Sequence, residues 1–499
     1  MPRRSAPLAL GLIFAALIAH ALSYGLNVQD DAFISYRYAQ NLANGHGLVF
    51  NPGERVEGIT NLLWTVGLAG VIRLGGDPLL ASVLAGVLGA LGLAWVSWAL
   101  GARREGPLRA LVAPALIAAN PFLMVEAVQG LESSTFAALA GLAVVFALDE
   151  DEGRRAWPAA GLLCAALSLV RPEGVGVYGL LLIGLTVGAA MQHGLRAAWA
   201  PPRRVLWWGL GVLFTALALQ TAARLAYYGQ PLPNTFYVKT GGGVDQWSRG
   251  VSYLLACAKA HPVQALLFAI GALGAAREAK TSPWARAVLT LGLGYLAYIV
   301  AVGGDFKVTF RFVGLVAAPL VLLTQRGFWW AMDALPNTVA PRALLGAALA
   351  VGTLTLDLAP NHTRMAQEAR FRAQVMDDRL AVGQALRQLF PPDAVLAIHS
   401  AGAIPYAAGL PTIDMWGLSD LHIAHREMPQ MGSGMAGHEK SDFAYVFGRA
   451  PAVFIPEEGF LVDQPTKLPV PGVPEFTEHY AQRAVPLGDR TLQLFVRVR

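Results

Sequence analysis

The sequence predicts a mainly α-helical, polytopic membrane bundle with a C-terminal soluble α/β domain. Three observations lead there. The 499 residues are 55% hydrophobic and 14% charged, against about 25% charged in soluble domains, and the mean hydropathy is +0.46. Apolar runs recur throughout residues 1–358. Beyond residue 358 the composition turns to a helical pattern rich in Arg and Gln, followed by short β-branched runs. The expected domains are therefore 1–358, transmembrane, and 359–499, soluble.

A span needs about 20 apolar residues, fewer where protein covers its ends. About eleven segments qualify: 6–26, 78–100, 108–121, 134–148, 157–170, 173–191, 205–226, 262–276, 284–302, 312–325 and 341–358. The apolar stretch 61–75 ends near Arg73 and is expected to lie on, or dip into, the outer surface. The first run follows Arg3 and Arg4 and reads as a signal anchor, because further spans follow it.

Charge sorts the loops. Arg3/Arg4, Arg103/Arg104/Arg109, Arg154/Arg155, Arg196/Arg203/Arg204, Arg277/Lys280/Arg286 and Arg326/Arg342 fall on one side, the cytoplasmic side by the positive-inside rule. Asp30/Asp31, Glu126/Glu132, Arg171/Glu173, Asn234/Lys239 and Asp305/Lys307/Arg311 fall on the other. An odd number of spans places the soluble domain there too. The expected location is the inner (cytoplasmic) membrane, with the functional face and the C-terminal domain toward the periplasm or outside. The net charge of +5 reads as topology, and no nucleic-acid partner is expected. Cys164 and Cys257 lie in apolar segments, so neither a disulfide framework nor a metal cluster is implied.

In the soluble domain, residues 362–390 read as an amphipathic helix. Residues 394–398, 452–455 and 492–496 read as strands, with Pro391-Pro392, Gly432–Gly437 and Pro465–Pro474 as loops.

The first polar loop is the most specific segment. It opens with Asp30-Asp31-Ala32-Phe33-Ile34 directly after the first span. Phe33, Tyr36, Ala39 and Leu42 have helical spacing, and Asn44-Gly45-His46-Gly47 ends that helix. Carboxylates at a membrane boundary are costly to place there and point to function. They suit a base for a hydroxyl, or a metal ligand beside a phosphate. They also suit a helix start.

This block, continued by G-H-G-L-V-F-N-P-G-E-R-V-E-G-I-T-N-L-L-W from Gly45 to Trp64, resembles the C-type, polyprenyl-phosphate-dependent glycosyltransferases. Within them it is similar to the branch containing terminal β-(1→2)-arabinofuranosyltransferases. Gly130-Leu131-Glu132-Ser133, Arg171-Pro172-Glu173-Gly174, Tyr228–Tyr237, Gly303-Gly304-Asp305-Phe306 with Arg311-Phe312, and Asp414–Ala424 fit the same branch. The resemblance implies transfer of a pentose, arabinofuranose above others, from a polyprenyl-phosphate donor to a cell-envelope glycan hydroxyl. Membrane lipid is then a partner. No nucleotide cofactor is expected, since no Gly-rich phosphate loop follows a strand. A divalent cation (Mg, Mn or Ca) is a candidate cofactor. Other readings on this scaffold are transfer to lipid A or to protein, and a non-catalytic envelope or flagellar-regulation role; intact Asp30, Asp31 and Glu132 favour catalysis.

Carried onto this chain, Asp30 or Asp31 is the essential carboxylate. It can be a base, a metal ligand or, if configuration is retained, a nucleophile. Glu132 can bind sugar or join the two aspartates on a metal, or simply start a helix. Arg171 and Glu173 either meet substrate or close a tight turn. Six lysines stand among the 38 Lys and Arg residues, so Lys239 and Lys307, with Arg311, are candidates to neutralise the lipid phosphate; the alternative is snorkelling. Asp305 can pair with Arg311 or bind sugar. Asn234 belongs to the matching blocks. His46 can shuttle protons, and Trp64 can stack on a sugar or mark the membrane interface.

Overall fold

The computed structural model describes residues 2–336, 338–429, 431–457 and 459–498, with the side chains of residues 2–4 and 202 excepted. Arg3 and Arg4, expected on the cytoplasmic side, thus have side chains outside the described residues. The chain forms two units, each built from three segments. One comprises residues 1–27, 82–220 and 246–370; the other comprises 28–81, 221–245 and 371–499.

All eleven apolar segments contain helix, but fewer are membrane spans by length and composition. Among the described residues seven helices are long and apolar enough: Ser5–Leu22, Pro78–Glu105, Ser133–Asp151, Gly174–His193, Arg203–Tyr228, Pro283–Val302 and Val339–Leu389. Two bent pairs raise this to nine if each is one span: Arg109–Ala119 with Pro121–Ala127, bent 65°, and Gly243–Ala260 with Pro262–Glu278, bent 109°. The expected segments that fall short of this length-and-composition criterion do so for identifiable reasons. Segment 108–121 breaks at Asn120, whose side chain accepts from the N–H groups of Phe122 and Leu123 and starts a new helix at Pro121. Helix Ala159–Val170 has 12 residues, about 18 Å against a hydrocarbon core of about 30 Å. In segment 312–325 the long helix begins only at Ala317. The stretch 61–75, expected at the outer surface, contains helix Leu62–Arg73, likewise 12 residues, packed against helix Asp30–Ala43.

Small residues let the helices of the first unit approach closely. A Cβ on Gly271 would lie 1.8 Å from the Leu323 carbonyl oxygen, and one on Gly327 would lie 1.9 Å from that of Leu267. Helices Pro262–Glu278 and Ala317–Asp333 therefore meet backbone to backbone, as packing without a hydrophobic drive requires. The loops grouped as cytoplasmic are knitted together by ion pairs: Arg103–Asp149 at 3.0 Å, Arg104–Glu278 at 2.9 Å, Arg109–Asp333 at 2.8 Å, Arg203–Asp151 at 2.6 Å and Arg326–Glu105 at 3.1 Å. Loops far apart in sequence thus share one end of this unit, as the charge sorting predicts.

The second unit carries a six-stranded sheet. Its strands are β1 (Leu396–Ile398), β2 (Thr412–Asp414), β3 (Val453–Ile455), β4 (Leu461–Val462), β5 (Tyr480–Leu487) and β6 (Arg490–Arg497). The order is β2-β1-β3-β6-β4, with β5 also on β6. β1 runs parallel to β2 and β3, while β6 is antiparallel to its partners. The β5–β6 hairpin closes through Gly488-Asp489, with Gly488 at φ +62°, the left-handed geometry such two-residue turns demand. Both faces are covered. Val382 and Leu386, from helix Ala359–Leu389, pack with Leu396, Ile398 and Leu494 on one face. Ile413, Phe447, Phe454 and Phe476 fill the other. The predicted strands and the 362–390 helix are all present, each within a few residues.

His399, directly after β1, is buried beside the rings of Trp416 and Phe443. Burial pushes its pKa down from 6.5 to about 4. Between those values the folded protein binds fewer protons at this site than the unfolded chain, so this contribution raises stability with pH. The wild type should lose more melting temperature between pH 7 and pH 5 than His399→Phe does, measured in detergent. Equal losses would show that His399 protonates without resistance in the fold.

Candidate functional site

The first unit gathers three of the expected residues into one buried cluster. Pro172 disfavours helical backbone at the residue before it, and Arg171 is extended, at φ −156° and ψ 142°, ending helix Ala159–Val170. This turns its guanidinium between two carboxylates. Nη1 donates to Glu132 Oε1 at 2.5 Å and Nη2 to Glu173 Oε1 at 2.8 Å. All three side chains are at most 8% exposed, so each charge depends on the others. Glu132 and Glu173 both sit just before a helix, yet neither caps it through its side chain.

A second cluster follows helix Pro283–Val302. Gly303 and Gly304, at φ +81° and +66°, turn the chain so that Asp305 accepts from the Lys307 N–H at 3.1 Å and from Arg311 Nε at 3.2 Å. Lys307 is 3% exposed. Phe310, at φ +51°, holds a left-handed backbone that non-glycine residues adopt only under constraint. Its ring packs on Phe122 and Tyr253, and Arg311 comes immediately after. The guanidinium of Arg311 and that of Arg171 lie 5.6 and 5.9 Å from the Phe312 ring centre.

Glu126 was sorted to this end by charge but not singled out by sequence reasoning. Thr309 Oγ1 donates to its Oε1 at 2.5 Å, while Oε2 is buried without a hydrogen-bond partner among the described residues. With Ser133, Ser134 and Arg311 it lines a narrow cavity of about 10 Å³, room for about one water. An acid inside the apolar run behind Pro121 was the available signal.

The second unit holds the two aspartates. Asp30 opens helix Asp30–Ala43, but its carboxylate serves another element. It accepts from the N–H groups of Gly402 and Ala403 at 3.1 and 3.0 Å and pairs with Arg379 at 2.9 Å. Those N–H groups begin helix Ala403–Ala408, so Asp30 caps it across 372 residues of sequence. Asp31, next along the helix, is half-buried. Arg37, one turn and a half further, is buried with donors matched to the carbonyls of Phe50, Pro405 and Leu410 and to Asn51.

Asn234 is also structural: its side-chain amide donates to the carbonyls of Gly417, Leu418 and Asp420 at 2.8–3.1 Å. His46 is exposed in the turn after helix Asp30–Ala43. Trp64 is half-buried, its Nε1 without a partner among the described residues. Lys239 is exposed and lies over Gly437.

Two of the three acids expected as metal ligands, Glu132 and Asp30, already meet other donors. Arg171 holds Glu132, and Arg379 with two N–H groups holds Asp30. Among the described residues no group of three or more His, Cys, Asp or Glu side chains is placed to hold an ion. No step is therefore assigned to a cation.

Residues 364–495 match the model of a family described as "Domain of unknown function (DUF8728)". Over 246 residues the chain is 34% identical to a Mycobacterium tuberculosis protein named terminal beta-(1->2)-arabinofuranosyltransferase, covering 46% of this chain and 37% of that one. A Corynebacterium glutamicum protein of the same name is 30% identical over 326 residues, 56% of this chain and 45% of that one. The chain thus spans less than half the length of the curated relatives it matches. The crystal structure of ArnT from Cupriavidus metallidurans bound to undecaprenyl phosphate superposes with a TM-score of 0.59 at 13% identity, over 98% of this chain and 97% of that one. The protein is a multi-pass membrane protein with the C-type glycosyltransferase fold, related over part of its length to proteins named terminal beta-(1->2)-arabinofuranosyltransferase.

Proposed function

We propose that the protein is a membrane glycosyltransferase that moves a pentose, arabinofuranose, from a polyprenyl-phosphate donor to a hydroxyl of a cell-envelope glycan. One observation carries this reading. The chain shares 30–34% identity with proteins named for arabinofuranose transfer and follows, along almost its whole length, the fold of a protein crystallised with undecaprenyl phosphate. Its chemistry needs a base within about 3 Å of the acceptor hydroxyl and a cation to take up charge on the departing phosphate. Asp31 is proposed as the base, with Asp30 holding the start of helix Ala403–Ala408 in place. Lys307 and Arg311, and separately Lys239, are proposed to bind donor phosphate. The outer face of the cytoplasmic membrane is the proposed site of reaction.

Radiolabelled transfer from a panel of polyprenyl-phosphate sugars tests the class and the sugar together. Label should move from the arabinofuranose donor. Transfer from a different sugar alone would replace the substrate, and transfer from none would remove the activity. Donor binding gives an independent readout. Undecaprenyl phosphate affinity in detergent should weaken roughly tenfold or more for at least one of Lys307→Ala, Arg311→Ala and Lys239→Ala, the scale of a lost charge-assisted hydrogen bond. Unchanged affinity in all three, with unchanged melting, would take these cations out of the donor site.

A further inference from the structure

We propose that the second unit carries a cleft that binds neutral saccharide, serving as a subsite for the acceptor glycan away from the reacting hydroxyl. The acceptor role rests on the glycosyltransferase reading above; the binding chemistry does not. The cleft has a volume of about 530 Å³ and is lined by Glu54, Asp420, His422, His425, Tyr445 and Arg449, among others. Ligand pockets commonly occupy about 300–1,000 Å³.

The lining is held in place by capping. Asp420 Oδ1 accepts from the Ile423 N–H at 3.0 Å and starts helix Leu421–His425. Asp442 does the same for helix Phe443–Gly448 through the Tyr445 N–H. Arg449 then joins the polar groups of the cleft. Its Nη1 lies 3.3 Å from Asp420 Oδ2 and from the Tyr445 hydroxyl, and its Nη2 donates to Glu54 Oε1 at 3.1 Å. The Tyr445 hydroxyl also donates to Asp420 Oδ2 at 3.1 Å. Ring pairs accompany this array: His422 stacks on Tyr445 at 4.0 Å and 17°, and His425 lies 4.1 Å from Tyr237, tilted by 32°.

Planar donor and acceptor forks beside ring faces suit a polyol. Hydroxyls pair with carboxylate and guanidinium edges, and the C–H face of a sugar ring lies on an aromatic surface. Two carboxylates face one arginine among the lining residues, so their permanent charges leave no surplus cation for a phosphate or another anion. The rim is reachable from solvent: the side chains of Glu54, His422 and Arg449 are 42%, 51% and 36% exposed. Glu54 belongs to the first sequence block and Asp420 to the segment after β2, and the proposed transfer chemistry uses neither.

The test is calorimetric titration of the full-length protein in detergent with a soluble neutral arabino-oligosaccharide, with undecaprenyl phosphate titrated in parallel. His422→Ala and Glu54→Gln should each weaken oligosaccharide binding about tenfold, the scale of one or two lost contacts, and leave undecaprenyl phosphate affinity and melting unchanged. Full oligosaccharide affinity in both variants would place the glycan elsewhere and overturn the cleft, as would a wild type that binds no neutral oligosaccharide. Failure of the enzymatic reading is distinct: oligosaccharide binding would map to the cleft while no polyprenyl-phosphate donor supported transfer.

Discussion

Asp31→Asn is expected to lower sugar transfer per folded molecule by about two orders of magnitude or more, as loss of a general base does. Asp30→Asn should behave differently. An amide in place of that carboxylate keeps one acceptor oxygen, turns an N–H₂ toward a backbone N–H, and loses the charge that Arg379 meets at 2.9 Å. Its leading effect should be a lower melting temperature, with transfer falling because less protein is folded. Transfer per folded molecule separates the two cases. Near-wild-type transfer by Asp31→Asn would move the base elsewhere. A large loss in Asp30→Asn at unchanged melting would give the chemistry to Asp30.

The largest effect on stability is expected at Arg171. Replacing it with Met leaves Glu132 and Glu173 buried without the guanidinium that bridges them at 2.5 and 2.8 Å. Breaking a buried ion pair from one side costs about 3–5 kcal/mol, enough to deplete folded protein in detergent. Arg171→Lys should rescue only in part, because one ammonium cannot reproduce a planar fork that reaches two acids at once. Combining Arg171→Met with Glu132→Gln and Glu173→Gln should recover much of the loss, since no buried charge is then left over. Thermal melting of the four proteins decides it. A stable Arg171→Met single variant would mean that the triad does not hold this turn.

Much of the architecture was legible because it depends on local chemistry. Apolar runs mark helices, and β-branched runs bounded by Pro and Gly mark strands. Both signals survive without knowledge of neighbours. The span count was less legible. Whether a short apolar helix crosses a bilayer depends on breaks such as Asn120-Pro121 and on what covers its ends. Among the candidate residues, residue type was informative and partner was not. Arg171-Pro172-Glu173 announces a turn, but Glu132, 39 residues earlier, becomes its third member only in the packed bundle. Asn234 belongs to a matching block, but the carbonyls its amide meets, in the segment after β2, lie more than 180 residues away. Glu126 carried only a weak sequence signal because its partner Thr309 is 183 residues away.

By itself the sequence determined that the protein is membrane-embedded and helical, with an α/β unit at its C-terminal end. These follow from transfer free energies and charge rules that act residue by residue. Only the tertiary structure decided what the Asp30 carboxylate meets. A carboxylate's intrinsic chemistry is the same wherever it stands in a sequence, and folding supplies its donors. For Asp30 those donors are Arg379, Gly402 and Ala403, brought to it by folding from more than three hundred residues away.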